Sequence, residues 1–220
     1  MQLMKQNNIN LRWDILDKKR LSLLPKLKFL KKQGFYLAGG TALALQIGHR
    51  VSVDFDFYNP AAFDSEKILA EFQENSAKTT LIQKAKNTLI AKIEGIDISL
   101  FTYQYKLLHP LVITGSFNLA SLEDIAAMKL IAIIQRGVRR DFIDLYFLIK
   151  LLGLNKVFQL TQKKYHPFNK YLGLQALTYF TDAEKTPEKR KLILLQPAEW
   201  KEIKKFIISE AKKIKKSIEK

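Results

Sequence analysis

Apolar and polar positions along this chain follow two different periods, and the places where the period changes mark out its parts. Over residues 15–33 (ILDKKRLSLLPKLKFLKKQ) apolar groups recur every three or four positions, which predicts a helical opening broken at Pro25 and capped by Gly34. Phe35-Tyr36-Leu37-Ala38 then reads as a short apolar strand, Gly39-Gly40 as a tight turn, and Thr41 to Ile47 as a helix that starts from it. From Val51 to Tyr58 the period becomes two, with Val51, Val53, Phe55 and Phe57 on one face and Ser52, Asp54, Asp56 and Tyr58 on the other. Residues 79–84, 88–94 and 96–103 are rich in β-branched and aromatic residues and are separated by Asn87 and Gly95. A mixed sheet of about four or five strands accommodates them.

After Ser121 the pattern turns to long helices: SLEDIAAMKLIAIIQRG, RRDFIDLYFLIKLLG, some shorter apolar segments, and finally PAEWKEIKKFIISEAKKIKKSIEK. Ser121 with Asp124 reads as a helix cap. Trp200, Ile203, Ile207, Ala211, Ile214 and Ile218 form an apolar stripe that predicts docking of the last helix. The expected fold is α+β: a mixed sheet flanked by helices over residues 1–115, and a helical half over residues 116–220 that closes the cleft.

Composition narrows the partners. The chain has 220 residues with 47% hydrophobic content, enough for one continuous core. No apolar run approaches the roughly 20 residues of a membrane span, and the start (MQLMKQNNIN) lacks the apolar stretch of a signal peptide. A cytoplasmic protein without membrane contact is the expectation. Cysteine is absent and the three histidines are scattered, so any metal must be held by oxygen. A net charge of +16 favours polyanions, and nucleic acid is the natural partner class, although lysine-rich helices are also simply well solvated. The lysines at 204, 205, 212, 213, 215 and 216 fit either reading.

The candidate chemistry centres on Asp54 and Asp56. Two residues apart in a strand, they project from one face with Cα atoms about 7 Å apart. Asp97 lies in a second alternating strand, IDISLF, and adjacency of the two strands would add a third carboxylate. Three acids can hold two Mg²⁺ ions, with Mn²⁺ as the alternative, to activate a hydroxyl and stabilise a leaving pyrophosphate. Gly39 and Gly40 before a helix N-terminus let backbone N–H groups approach phosphate, and Thr41 can add a hydroxyl. The competing readings are a solvated edge-strand face for Asp54 and Asp56 and a turn aspartate for Asp97. Lys129 falls in the apolar stripe of its helix, so it either reaches into the cleft or snorkels toward water or Asp124. Arg140 and Asp144 are four residues apart and could pair along one helix, while Asp141 could favour that helix's N-terminus.

The stretch GGTALALQIGHRVSVDFDFY resembles the nucleotidyltransferase core of the AbiEii/AbiGii toxin family, the toxin halves of bacterial toxin–antitoxin and phage-abortive systems; Gly39, Gly40, Arg50, Ser52, Asp54 and Asp56 carry the match. SLEDIAAMKLIAIIQRGVRRDFIDLYFLI is similar to the family's helical motif and places Lys129, Arg140, Asp141 and Asp144 at its functional positions. The resemblance implies catalysis by Asp54, Asp56, Lys129, Asp141 and Asp144, to which the strand pattern adds Asp97, and nucleotide binding by Gly39, Gly40, Arg50, Ser52, Lys129 and Arg140, to which the helix start adds Thr41. It further implies a nucleoside triphosphate (NTP) donor, transfer to tRNA, and a cognate antitoxin. Two alternatives remain beside it: an idle binding module of the same fold, and transfer to a protein or small hydroxylated acceptor.

Overall fold

A computed structural model describes residues 10–185 and 191–218. The opening region forms a short 3-10 turn (Trp13–Ile15), α1 (Lys18–Leu23), a second 3-10 turn carrying Pro25 (Leu24–Leu27), and α2 (Lys28–Lys32). Pro25 lacks the N–H that a continuing α-helix needs, so the ladder tightens there instead of running through. Gly34 adopts φ +85°, the left-handed conformation expected of a residue just past a helix end.

The sheet has six strands in the order β3-β4-β5-β2-β1-β6: β1 (Tyr36–Ala38), β2 (Phe55–Asn59), β3 (Thr79–Ala85), β4 (Thr88–Ile93), β5 (Ile96–Thr102) and β6 (Asn118–Leu119). β2 runs antiparallel to β1 and parallel to β5, with Asp56 opposite Ser99. Sequence periodicity found every strand except the two-residue β6, which is too short to show a period. It also passed over α4 (Ser65–Asn75), which Asp64 caps by accepting from the Glu66 and Lys67 amides.

The alternation over 51–58 is real only in part. Ladder pairing begins at Phe55, and Phe55 and Phe57 are buried as expected, but Ser52 is buried while Val51 and Val53 are partly exposed. Residues 50–53 are extended yet leave the sheet: Arg50 bridges to Leu194, and Arg20 Nε donates to the Val53 carbonyl at 2.7 Å. Side chains and a returning segment therefore replace strand neighbours there.

α3 (Gly39–Ile47) follows β1 directly. The helical half comprises α5 (Leu122–Gln135), α6 (Arg139–Leu152), α7 (Leu154–Lys164), α8 (Lys170–Thr178), α9 (Thr181–Lys185) and α10 (Trp200–Ile218). α5 packs against α6, α7, α8 and α3. One large cluster of buried apolar residues runs from Ile15 through the sheet to Ala211, so both halves share it. The stripe on α10 buries Ile203, Ile207 and Ala211 with Trp200 and Ile214 at its margin, while the Ile218 side chain lies outside the described residues. Among the described residues no helix is long and apolar enough to cross a membrane.

Candidate active site

The site begins with the abrupt passage from β1 into α3. Gly39 adopts φ +69°, which a side-chain-bearing residue rarely takes, and a Cβ there would sit 3.3 Å from Asp56 Oδ2. A Cβ on Gly40 would collide with Arg50 Nη2. The two glycines therefore leave room for an acidic and a basic side chain to close on the start of the helix. Thr41 is buried, its Oγ1 lies 2.9 Å from Ser52 Oγ, and it also bonds the Asp54 carbonyl. That hydroxyl thus holds the 52–54 segment in place, which is a different use from the phosphate contact its position suggested.

These elements form one wall of a cavity of about 450 Å³. Asp54 and Asp56 face it from the end of the extended segment and the start of β2, with Tyr58 and Phe101 deeper on the same sheet face. Burial pushes the Asp56 carboxyl above its ordinary range, and the neighbouring charge of Asp54 adds to the shift, against a hydrogen bond from Ser99. The same cavity is lined by Arg136, Arg139 and Arg140, at the turn between α5 and α6 and on the first turn of α6. The α6 N-terminus adds its own positive end to the same wall. Arg139 lies over the Trp200 ring at 5.0 Å, and its Nε has no hydrogen-bond partner among the described residues.

Beneath this wall is a buried network of charges. Asp144 on α6 accepts from Arg50 Nε at 2.6 Å, Arg50 Nη2 at 3.0 Å and His49 Nε2 at 2.8 Å, and pairs with Lys129 Nζ at 2.6 Å. Asp141 pairs with Lys129 at 2.8 Å and accepts from Arg136 Nε at 2.9 Å. Burial alone would raise both carboxyls, but Arg50 and Lys129 beside Asp144, and Lys129 and Arg136 beside Asp141, hold them below the usual carboxylate range, Asp144 far below. Burial would likewise lower Lys129, and the same two carboxylates keep it above its ordinary value. Burial lowers His49, whose Nδ1 has no partner among the described residues. A neutral ring donating from Nε2 to Asp144 follows.

The structure thus gathers Gly39, Gly40, Thr41, Arg50, Ser52, Asp54, Asp56, Lys129, Arg140 and Asp141 around one cavity, with Asp144 buried behind it. Asp97 stands apart from that lining. It shares the sheet face with Asp56 and Ser99, but Lys92 on β4 pairs with it at 2.9 Å. Among the described residues no group of three His, Cys, Asp or Glu side chains stands close enough to hold a metal ion. Asp144, four residues after Arg140, is held by Arg50, His49 and Lys129. Asp124 takes Lys164 at 2.7 Å in place of Lys129, together with the Leu108 and His109 amides. Sequence reasoning missed Arg136, Arg139, His49 and the Trp200 anchor. The basic spacing in QRGVRR, around a glycine between two helices, was the available signal for the first two.

A glycine turn thus enters α3, and the extended segment and strand that follow bring Asp54 and Asp56 to the cavity. The profile of the nucleotidyl transferase AbiEii toxin family, a type IV toxin–antitoxin system, matches residues 23–219, and the chain belongs to that family. It is 37% identical over 191 residues to an uncharacterized protein of Aquifex aeolicus (strain VF5), covering 84% of this chain and 88% of that one. Among solved structures it is similar to JHP933 from Helicobacter pylori, at 18% identity and a TM-score of 0.59 over 95% of each chain. A nucleotidyltransferase structure from H. pylori, at 19% identity, has a TM-score of 0.55 and covers 93% of this chain and 98% of its own. The protein is a nucleotidyltransferase of the AbiEii toxin family.

Proposed function

We propose that the protein transfers a nucleotide from an NTP to an acceptor hydroxyl with Mg²⁺ as cofactor, and that the acceptor is tRNA. The observation that carries this reading is that Asp54 and Asp56 line one cavity together with Arg136, Arg139, Arg140 and the start of α6. Paired carboxylates suit a divalent cation, and the basic lining suits the phosphates that such a cation neutralises.

The carboxylates fit the ion chemically. Asp54 and Asp56 offer only oxygen, and the upward push on Asp56 from its neighbour's charge is what a bound cation relieves. One or two carboxylates plus substrate phosphates is a usual Mg²⁺ arrangement, so this pair suffices without a third acid. Mg²⁺ there would polarise the reacting phosphate and stabilise the departing pyrophosphate. Asp97, on the same sheet face as Asp56, would serve as a third oxygen donor to the ion and would help take the acceptor proton.

The remaining roles belong to side chains in the cavity wall. Arg139 and Arg140 with the α6 N-terminus hold the triphosphate. Arg50 and Lys129 supply positive charge from below, positioned by Asp144 and Asp141 and not free to swing. Asp141 and Asp144 act as positioning residues. The family implies a cognate antitoxin and a location in the cytoplasm, and both belong to this proposal.

Incubation with each α-labelled NTP, Mg²⁺ and bulk bacterial tRNA tests the reading. Label on tRNA with one or more nucleotides is expected. NTP binding without label on tRNA, but with label on added protein or aminoglycoside acceptors, would replace the tRNA assignment.

A further inference from the structure

Three hollows on the surface lie side by side. The active-site cavity shares Arg136 as a wall with a second hollow of about 500 Å³ between the end of α5 and α8. That hollow shares Gln175 and Thr178 with a third of about 330 Å³ between α8 and α10. The three therefore follow one another over the surface from the cavity of Asp54 and Asp56, across α8, to Lys212 and Lys215 on α10.

The side chains along this row are of two kinds. Tyr179 and Tyr171 lie in the second and third hollows and are 55% and 58% exposed, unusual for large aromatic rings with no covering segment among the described residues. Arg136 stands at the inner end and Lys212 and Lys215 at the outer end, and among the described residues Asp182 is the only acid lining either outer hollow. Exposed rings spaced between cations suit a single strand of nucleic acid, whose bases stack on the rings and whose phosphates meet the cations. A folded protein partner has no need of a row of hollows that starts beside the catalytic cavity, whereas an acceptor strand must end there.

We propose that the row of hollows across α8 to α10 holds the single-stranded end of an RNA acceptor, with Tyr179 and Tyr171 as stacking platforms and Lys212 and Lys215 as phosphate contacts. The proposal rests on the reading of the site as a nucleotidyltransferase acting on nucleic acid. It adds a route that fixes which end of the acceptor reaches Asp54 and Asp56.

The test uses Tyr179→Ala, Tyr179→Phe and the double variant Lys212→Glu/Lys215→Glu in the full chain. All three positions are exposed, so the fold should persist, as thermal melting would verify. With wild type active on tRNA, Tyr179→Ala and the lysine pair should each raise KM for tRNA about tenfold, with KM for NTP unchanged and Tyr179→Phe close to wild type. Binding of a labelled single-stranded oligoribonucleotide, followed by anisotropy, should weaken in the same variants. Its dependence on salt should flatten by about 0.7 in log–log slope for each lysine lost. Unchanged KM for tRNA and unchanged oligonucleotide binding would overturn the route while leaving the transferase reading intact. Absence of transfer in wild type would instead count against that reading, and the oligonucleotide arm would still decide the route. Weaker binding of a protein ligand with unaltered RNA binding would assign the surface to a protein and overturn the proposal.

Discussion

Arg50 and Asp144 stand 94 positions apart in sequence and meet as a two-pronged buried pair, Nε to Oδ1 at 2.6 Å and Nη2 to Oδ2 at 3.0 Å. The pair joins the segment before β2 to the middle of α6, so it couples the sheet that carries the acidic residues to the helix whose N-terminus carries the basic ones. With Lys129 on the same carboxylate, two largely buried cations are oriented by one fully buried anion.

Asp144→Asn should therefore be a folding lesion before it is a catalytic one. Two buried cations would lose their main counter-charge, a change that costs about 3–5 kcal/mol in comparable buried pairs. Chemical denaturation should show that loss. Asp54→Ala should do the opposite, holding stability within about 0.5 kcal/mol of wild type because it relieves a like-charge pair at a partly exposed position.

Gly40→Ala is expected to destabilise by about 1–3 kcal/mol, because its methyl group takes the place of the Arg50 guanidinium, which Asp144 holds fast. A combined Gly40→Ala/Arg50→Ala variant should then lose no more stability than Arg50→Ala alone. Additive losses in that thermodynamic cycle would mean that the glycine serves some other purpose.

The pH dependence of stability has a defined sign. Asp141 and Asp144 are held below their unfolded values of about 3.9, so their contribution is complete above that range and is lost as pH falls through the folded values. His49 is held below its unfolded value of about 6.5, so between the two values the unfolded chain binds the extra proton and acid again destabilises. Melting temperature should be flat from about pH 7 to about pH 9, begin to fall near pH 6.5 on the acid side, and fall again where the unfolded chain gives up the Lys129 proton that the folded one keeps. His49→Gln should delay the onset of the acid-side fall to the carboxylate range, and an unchanged onset would remove His49 from the account.

Asp97 gives a graded expectation. If it donates to a metal only after leaving Lys92, then Asp97→Asn should weaken Mg²⁺-dependent transfer by less than Asp54→Asn does. Lys92→Ala, which removes that pairing, should leave transfer intact or raise it. Magnesium titrations of the three variants at fixed NTP would rank them, and equal losses in Asp97→Asn and Asp54→Asn would make it a full ligand from the start.

Periodicity revealed most of the sheet because Phe55, Phe57, Ile98 and Leu100 must alternate inward when one face is covered and the other lines a cavity. The carboxylates stood out because aspartate is a poor strand former placed between aromatic residues. Residues 50–53 were misread as strand because their pairing comes from Leu194 and from Arg20, contacts that local sequence does not encode. The partners of Asp144 were hidden for the same reason: spacing of four along α6 suggested Arg140, whereas folding brings Arg50 and His49 from the other half of the chain. Asp97 matched the strand pattern, yet its immediate neighbour across β4 is a lysine, and cross-strand register decides which charge it meets.

The central claim is that Asp54 and Asp56 together drive nucleotidyl transfer, and the most direct measurement is label transfer from α-labelled NTP to bacterial tRNA by wild type beside Asp54→Ala, both with Mg²⁺ and with the ion chelated. The account predicts labelled tRNA from wild type with Mg²⁺ and none from the variant or the chelated sample, with both proteins melting alike. Labelled tRNA from Asp54→Ala at the wild-type rate would contradict it.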